Sequence, residues 1–132
     1  MSAHLIPSQK ILLVDDEPMI LHLYAQILED RGYEVDTALD GEAAWLELQI
    51  ENYDLVITDN SMPKMSGMDL VMTLRDANLT MPVIMATGTP PEVKFILEPR
   101  LQPFLVLQKP FRVEHLLKAV DKVLPVPQVL AA

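Results

Sequence analysis

The sequence predicts an α/β fold with three layers, in which a five-stranded parallel β-sheet lies between helices. Short apolar runs rich in β-branched residues recur along the chain, and such runs suit strands that are covered on both faces of a parallel sheet. Segments with helical spacing lie between these runs, so strand and helix alternate along the chain. The predicted strands are Ile11–Val14, Glu34–Ala38, Leu55–Thr58, Val83–Ala86 and Leu105–Leu107.

The predicted helices are placed by apolar spacing and by residues that favour helix ends. The first helix is expected to begin near Pro18 and to end at Gly32, since proline fits a first turn and glycine the left-handed position after a last turn. Asp40 and Ser66 are expected to cap the second and third helices. The last helix has regular apolar spacing over residues 113–124. Ile20, Leu23, Ile27 and Leu28 are expected to form one face of the first helix, and the second helix is expected to run through Ala44, Leu48 and Ile50.

The fourth helix is expected to be short. Thr89 is followed by two prolines and Glu92, which resembles a capping box with proline at the first helical position. Pro99 then ends the helix, and Pro103 prevents a restart. The sequence therefore predicts an extended stretch between this helix and the fifth strand.

Composition limits the classes of function. Half of the 132 residues are hydrophobic and spread in short runs, which is typical of one globular domain. Residues 10–124 are expected to form that domain, with an N-terminal extension at 1–9 and a tail at 125–132. The absence of cysteine excludes thiol catalysis and zinc thiolates. A net charge of -9 argues against direct nucleic-acid binding.

No targeting or membrane segment is recognised in the sequence. Residues 1–9 lack the basic start and the long apolar stretch of a signal peptide. No run approaches the roughly 18 to 20 apolar residues that a membrane span needs. We therefore expect a cytoplasmic protein that makes no contact with a membrane.

Residues that can take part in one reaction follow four of the predicted strands. Asp15 and Asp16 come after the first strand, Asp59 after the third, Thr87 after the fourth and Lys109 after the fifth. Ligands in open α/β sheets bind beyond the carboxyl ends of the strands. We therefore expect these side chains to converge at one edge of the sheet.

The expected chemistry of this edge is phosphoryl transfer. Grouped carboxylates repel one another unless a cation joins them, and a set of hard oxygen ligands favours Mg²⁺. A carboxylate can accept a phosphoryl group, whose charge an ammonium and a hydroxyl would then neutralise. Each residue alone is explained as well by a turn, a helix end or a solvated charge. The agreement of four strand ends favours the reaction.

The sequence resembles the receiver domains of two-component response regulators over residues 9–124. Besides the acidic pair, the resemblance rests on residues 59–67, which fit the family's D-x-x-M-P-x-x-x-G run, and on Thr87 and Lys109-Pro110-Phe111 at the family's spacing. It implies the flavodoxin-like receiver fold with strand order 2-1-3-4-5. It also implies a cis peptide bond between Lys109 and Pro110.

The resemblance implies a role for each residue of the site. Asp59 would accept phosphate from a phosphohistidine on a histidine kinase or phosphotransfer protein. Asp16, Asp59 and the backbone carbonyl of Ser61 would bind Mg²⁺ directly, and Asp15 would bind it through water. Thr87 and Lys109 would contact the phosphoryl group. The protein would then catalyse only its own phosphorylation and dephosphorylation, and would switch a surface that binds a downstream protein, as a monomer or weak dimer.

The sequence departs from the family at the position three residues before Lys109. The family usually has Tyr or Phe there, and this chain has Val106. Together with the short fourth helix, this predicts an altered output surface. Ser61 and Thr89 occupy the two variable positions that tune the phosphate lifetime in the family, and both are small and polar.

Three alternatives remain at this point. The first is a receiver, which either has no output domain of its own or is taken from a larger regulator or hybrid kinase. A Mg²⁺-dependent phosphatase would use the same Asp, Thr and Lys chemistry, but its usual Asp-x-Asp pattern is replaced here by Asp-Asp-Glu. A flavodoxin-type binding module would need a phosphate loop after the first strand, where these acidic residues repel phosphate instead.

Overall fold

A parallel sheet of five strands forms the middle layer of the computed structural model, which describes residues 4–5, 8–125 and 129–130. The strands are β1 (His4–Leu5), β2 (Lys10–Val14), β3 (Glu34–Ala38), β4 (Leu55–Asp59), β5 (Val83–Thr87), β6 (Phe104–Gln108) and β7 (Val129–Leu130). The large sheet has the order β3-β2-β4-β5-β6, and β1 pairs with β7 in a separate antiparallel pair. Counted over the large sheet alone, this is the predicted order 2-1-3-4-5.

The helices cover both faces of the sheet. They are α1 (Pro18–Asp30), α2 (Gly41–Ile50), α3 (Gly67–Asp76), α4 (Val93–Ile96) and α5 (Val113–Val123). Buried residues of α1 and α5 pack together on one face, whereas those of α2 and α3 pack on the other. Every residue of β4 and β5 is buried between these layers. The three-layer α/β fold predicted from the sequence is therefore confirmed.

The ends of the first three helices follow the predicted signals. The side chain of Asp40 accepts a hydrogen bond from the backbone N–H of Ala43, and Ser66 caps α3 together with Asp69. Gly32 has a φ of 102° just after α1, a conformation that glycine adopts without strain. These local contacts explain why the helices begin and end where the sequence indicates.

The buried face of α1 differs from the predicted face. Leu23 is 51% exposed, and the buried residues of α1 are instead Leu21, Ala25 and Leu28. These follow an i, i+4, i+7 pattern, and the small Ala25 lets the helix approach the sheet closely. The second helix runs through Ala44, Leu48 and Ile50, as predicted, and it ends at Ile50, which is 76% exposed.

The fourth helix is short, as predicted, but it begins later than the sequence indicated. Its N-cap is Glu92 rather than Thr89. Thr89 precedes Pro90, and a residue before proline is disfavoured in helical conformation. The following segment was expected to be extended. It contains a 3₁₀ turn at Pro99–Leu101 instead, and this turn buries the side chain of Leu101 in the core.

Among the residues that the structure describes, two peptide bonds before proline are cis. The bond between Lys109 and Pro110 is one of them, as the resemblance implied, and the bond between Gln102 and Pro103 is the other.

A buried arginine joins the loops that precede β5 and β6. Arg75 is only 7% exposed, and its guanidinium donates to the backbone carbonyls of Leu79 at 2.8 Å, Leu101 at 2.9 Å and Pro103 at 3.0 Å. Burial lowers the pKa of Arg75. The planar guanidinium is suited to three acceptors in different directions, so this side chain fixes the amino-terminal end of the sheet.

The chain termini lie partly outside the described residues. The expected extension at 1–9 and tail at 125–132 include residues 1–3, 6–7, 126–128 and 131–132, whose structure is not described. The domain boundaries therefore stay a prediction. None of the helices in the described part of the chain has the length and apolar character needed to cross a membrane.

Candidate functional site

The side chains singled out from the sequence meet beyond the carboxyl ends of the strands. Asp15 follows β2, Asp59 and Thr87 end β4 and β5, and Lys109 follows β6. Asp15, Asp59 and Thr87 are 7%, 8% and 2% exposed, respectively. The Lys109 ammonium donates to Asp59 Oδ1 at 3.2 Å. Strand order thus brings together residues that are up to 94 positions apart (from Asp15 to Lys109) in the chain.

Three carboxylates form an acidic cluster at this edge. Oxygens of Asp15, Asp16 and Glu17 all lie within 4.8 Å of one another. Asp15 is buried, whereas Asp16 and Glu17 are exposed. Burial raises the pKa of Asp15, and the negative charges of Asp59 and Asp16 add to that rise. A cation that joined these groups would relieve the repulsion, and the all-oxygen donor set fits a hard ion such as Mg²⁺.

The Asp59 carboxylate is held at one of its two oxygens. The backbone N–H of Asn60 donates to Oδ1 at 2.9 Å, and Lys109 donates to the same atom. Both hydrogen bonds that the described residues donate to this carboxylate therefore reach Oδ1. The arrangement leaves Oδ2 available to attack an electrophile or to bind a metal ion.

Lys109 remains a cation at this site. Burial lowers the pKa of Lys109, but the hydrogen bond to Asp59 and the charges of Asp59 and Asp15 outweigh burial, so that the pKa is raised. The backbone N–H of Lys109 also donates to the carbonyl of Thr87 at 2.9 Å. The ammonium is thereby held beside Asp59, where it can pair with added negative charge.

The structure shows no contact of Thr87 or Ser61 with Asp59 among the hydrogen bonds of the described residues. The Thr87 hydroxyl accepts from the backbone N–H of Thr89 at 3.1 Å and lies 3.3 Å from the Thr89 carbonyl, to which it donates. Ser61 is exposed in the loop after β4. The roles of Thr87 toward a phosphoryl group and of Ser61 toward a metal ion stay predictions.

Sequence reasoning missed the residues that hold the loop after Asp59. A Cβ atom at Gly67 would lie 2.3 Å from the backbone oxygen of Asp59, so only glycine allows the start of α3 to come this close. The Asn60 side chain accepts from the backbone N–H of Met68 at 3.0 Å. Gly67 belongs to the D-x-x-M-P-x-x-x-G run, which was the available signal for this contact.

Glu17 was also missed as a member of the acidic cluster. The signal was the Asp-Asp-Glu run itself, which extends one residue beyond the pair that was singled out. The backbone N–H of Glu17 donates to Asp15 Oδ1 at 2.9 Å. This turn places the third carboxylate against the first two.

Val106, which stands where the family usually has an aromatic residue, lies in β6 opposite Met85. Its side chain is partly buried and packs against the core on the α2–α3 side of the sheet. Phe104 is buried at the other end of the strand, where it pairs with Val83. Phe104 therefore lies at the opposite end of β6 from Lys109.

Residues 11–121 match the family described as the response regulator receiver domain. The chain belongs to this family, which acts in two-component signalling. It is 38% identical over 104 residues to the alkaline phosphatase synthesis transcriptional regulatory protein PhoP of Bacillus subtilis, and this match covers 79% of the chain and 43% of PhoP. The chain spans about half the length, or less, of the curated relatives it matches.

Solved structures of receiver proteins have the same fold. Chemotaxis protein CheY4 of Vibrio cholerae superposes with a TM-score of 0.79 at 34% identity, over 89% of this chain and 99% of CheY4. Response regulator TrrA of Thermotoga maritima, solved in complex with Mg(2+)-BeF, superposes with a TM-score of 0.74 at 33% identity, over 88% of this chain and 99% of TrrA.

Proposed function

We propose that this receiver domain accepts a phosphoryl group on Asp59 from a phosphohistidine and thereby switches a surface that binds another protein. The observation that supports this most directly is the contact of Lys109 with a buried Asp59, beside an acidic cluster at the ligand-binding edge of the sheet. The donor is a histidine kinase or a phosphotransfer protein. The domain catalyses only its own phosphorylation and dephosphorylation.

Asp59 acts as the nucleophile in this proposal. The hydrogen bonds from Asn60 and Lys109 hold Oδ1 and orient Oδ2 toward the incoming phosphorus. As Oδ2 bonds to phosphorus, the bond from phosphorus to the donor nitrogen breaks and its electron pair stays on the nitrogen. Lys109 then pairs with a phosphoryl oxygen, because its ammonium already lies at this carboxylate.

The residues proposed to hold Mg²⁺ are Asp15, Asp16, Asp59 and the carbonyl of Ser61. When bound, the ion neutralises carboxylate and phosphoryl charge, which phosphoryl transfer requires. The raised pKa of Asp15 supports this assignment, since it reflects a buried negative charge beside others. Glu17 adds a further carboxylate to the rim of the site.

The proposed switch begins at Thr87. Its hydroxyl must leave the backbone of Thr89 before it can donate to a phosphoryl oxygen, so phosphorylation would release the start of the segment that leads to α4. The apolar side chains of Val93, Phe95 and Leu97 are exposed along this segment. They support an output surface that binds a downstream protein. This surface would lack the aromatic side chain that the family usually has at the position of Val106.

Binding of a phosphoryl analogue tests the proposal. Beryllofluoride should bind in the presence of Mg²⁺, and calorimetry or the fluorescence of Trp45 would measure this binding. Lys109→Ala should still bind Mg²⁺ but should fail to undergo the change that beryllofluoride causes in the wild-type protein. Binding of beryllofluoride without Mg²⁺, or rapid turnover of a generic phosphate ester, would contradict the proposed function.

A further inference from the structure

Asn60 ties the loop after β4 to the start of α3. Its backbone N–H donates to Asp59 Oδ1 at 2.9 Å. Its backbone carbonyl accepts from the N–H of Gly67 at 3.1 Å, and its side-chain carbonyl accepts from the N–H of Met68 at 3.0 Å. Asn60 therefore joins the carboxylate that is proposed to accept the phosphoryl group to the first turn of α3.

The same residue closes the turn that carries Ser61. The backbone N–H of Met62 donates to the Asn60 carbonyl at 3.1 Å, and such an i to i+2 hydrogen bond defines a three-residue turn with Ser61 at its centre. The Ser61 carbonyl and the Met62 N–H belong to one peptide plane. The direction of the Ser61 carbonyl is therefore set by where Asn60 is held.

The rest of this loop carries backbone strain. Lys64 has a φ of 69°, in the left-handed region that a residue with a Cβ atom disfavours. The loop also presses against α2, since a Cβ atom at Gly41 would lie 2.7 Å from the Met65 backbone oxygen. A strained backbone persists only while the surrounding contacts determine it. Loss of one anchor should therefore let the loop move.

We propose that Asn60 is a positioning residue for the metal ion, because its side chain holds the loop in which the Ser61 carbonyl is directed at Mg²⁺. The inference rests on the proposed function, in which that carbonyl is a ligand. Asn60 itself contacts neither the ion nor the phosphoryl group. Its side chain makes the hydrogen bond with Met68, whereas its backbone makes those with Asp59, Met62 and Gly67. A substitution of Asn60 therefore removes the side-chain anchor alone.

Ser66 distinguishes this role from a contribution to the stability of α3. The Ser66 hydroxyl accepts from the N–H of Asp69 at 3.1 Å, one residue after the N–H that Asn60 accepts. Both side chains thus satisfy N–H groups of the first turn, which have no partner within the helix. Loss of either should destabilise α3 to a similar extent, but only Asn60 also closes the turn around Ser61.

The affinity for Mg²⁺, measured by calorimetry without any phosphoryl donor, tests the inference. Asn60→Leu keeps the approximate size of the side chain but removes the acceptor, and it should weaken Mg²⁺ binding about fivefold. Asn60→Ala lacks the acceptor and needs no extra space, so it should lose affinity likewise. Asn60→Asp keeps an oxygen acceptor and should bind Mg²⁺ at least as tightly as the wild-type protein. Ser66→Ala is the matched control and should leave the affinity unchanged.

Phosphorylation by a small acyl phosphate gives a second readout. Asn60→Leu should need about fivefold more Mg²⁺ for its half-maximal rate and should reach a rate similar to that of the wild-type protein at saturating Mg²⁺. Urea unfolding of each variant compares the stabilities of Asn60→Leu and Ser66→Ala.

Three results would overturn the inference while the proposed function stands. They are wild-type Mg²⁺ affinity in both Asn60→Leu and Asn60→Ala, an equal loss of affinity in Ser66→Ala, and a loss that Asn60→Asp does not restore. A wild-type protein that neither binds Mg²⁺ nor gains a phosphoryl group would overturn both.

Discussion

The two ends of the parallel sheet carry similar residues in different surroundings. At the amino-terminal end, the Lys10 ammonium pairs with Glu51 and lies 3.4 Å from Asp36, and the Tyr53 hydroxyl donates to Asp36 at 2.7 Å. The side chains of Asp36 and Glu51 are 45% and 46% exposed. At the carboxyl-terminal end, Lys109 contacts Asp59, whose side chain is only 9% exposed.

Burial, more than composition, distinguishes the carboxylates beside Lys109 from those beside Lys10. Water screens the exposed charges around Lys10, and exposed ion pairs of this kind contribute little to stability. Around Asp59 the carboxylates are partly removed from water, so their mutual repulsion is felt more strongly. The raised pKa of Asp15 reflects this difference. A metal ion that joins these carboxylates, or a phosphoryl group that pairs with Lys109, therefore changes the free energy more than the same charge would beside Lys10.

The first prediction tests how tightly the buried end is packed. Gly67→Ala should lower the free energy of unfolding by about 3 kcal/mol, because its Cβ would lie 2.3 Å from the Asp59 backbone oxygen. Gly88→Ala is the matched control, since no atom lies within 4 Å of a Cβ there. Urea unfolding of both variants measures the difference. Equal stabilities would show that the loop after Asp59 has room to adjust.

A second prediction concerns the buried cation at the amino-terminal end. Arg75→Met should lower the free energy of unfolding by about 2 kcal/mol, because the carbonyls of Leu79, Leu101 and Pro103 lose charged hydrogen-bond donors. Arg31→Met should cost less than about 1 kcal/mol, since Arg31 forms a partly exposed pair with Asp121. Thermal or urea unfolding compares the two. A similar cost for both would contradict the importance given to burial.

A third prediction uses the repulsion around Asp15. Asp15→Asn should raise the free energy of unfolding at neutral pH without Mg²⁺, and should weaken Mg²⁺ binding. Because the pKa of Asp15 in the folded state is raised above 3.8, ionisation of Asp15 destabilises the fold at neutral pH. The advantage of the variant should therefore disappear as the pH falls through the raised pKa toward 3.8.

Unfolding experiments between neutral and acidic pH, with and without Mg²⁺, would check this prediction. Asp36→Asn is the control, because its side chain belongs to the exposed network around Lys10. A variant Asp15→Asn that is less stable than the wild-type protein at neutral pH would contradict the account.

The smallest effect is expected from the exposed network around Lys10. Glu51→Gln removes one partner of Lys10, but Asp36 and the ring of Tyr53, 5.3 Å away, remain beside the ammonium. The change in the unfolding midpoint should be smaller than for Gly67→Ala, Arg75→Met or Asp15→Asn and should vanish as salt is added. A large loss that salt does not affect would remove the contrast between the two ends.

The sequence predicted the features that depend on local period and strand order. The strands, the caps at Asp40 and Ser66, and the convergence of Asp59 and Lys109 could all be read from apolar spacing and from residues at strand ends. The expected residues of the site also lie at one edge of the sheet, although their roles in binding metal and phosphate stay predictions.

The features that were missed depend on distances between segments that are remote in the chain. Nothing in the spacing around Arg75 indicates that the carbonyls before β5 and β6 surround it. The contact of Gly67 with Asp59 arises only once α3 is placed against the end of β4. The buried face of α1 was misjudged at Leu23 because apolar residues occur on more than one side of this helix, so that spacing alone does not determine which side packs against the sheet.

Intact mass spectrometry tests the central claim that Asp59 accepts the phosphoryl group. After incubation with a small acyl phosphate and Mg²⁺, the wild-type protein and Asp36→Asn should each gain the mass of one phosphoryl group, and chelation of the metal should prevent the gain. Asp59→Asn should gain none. A phosphoryl group on Asp59→Asn, or an unmodified wild-type protein, would contradict the account.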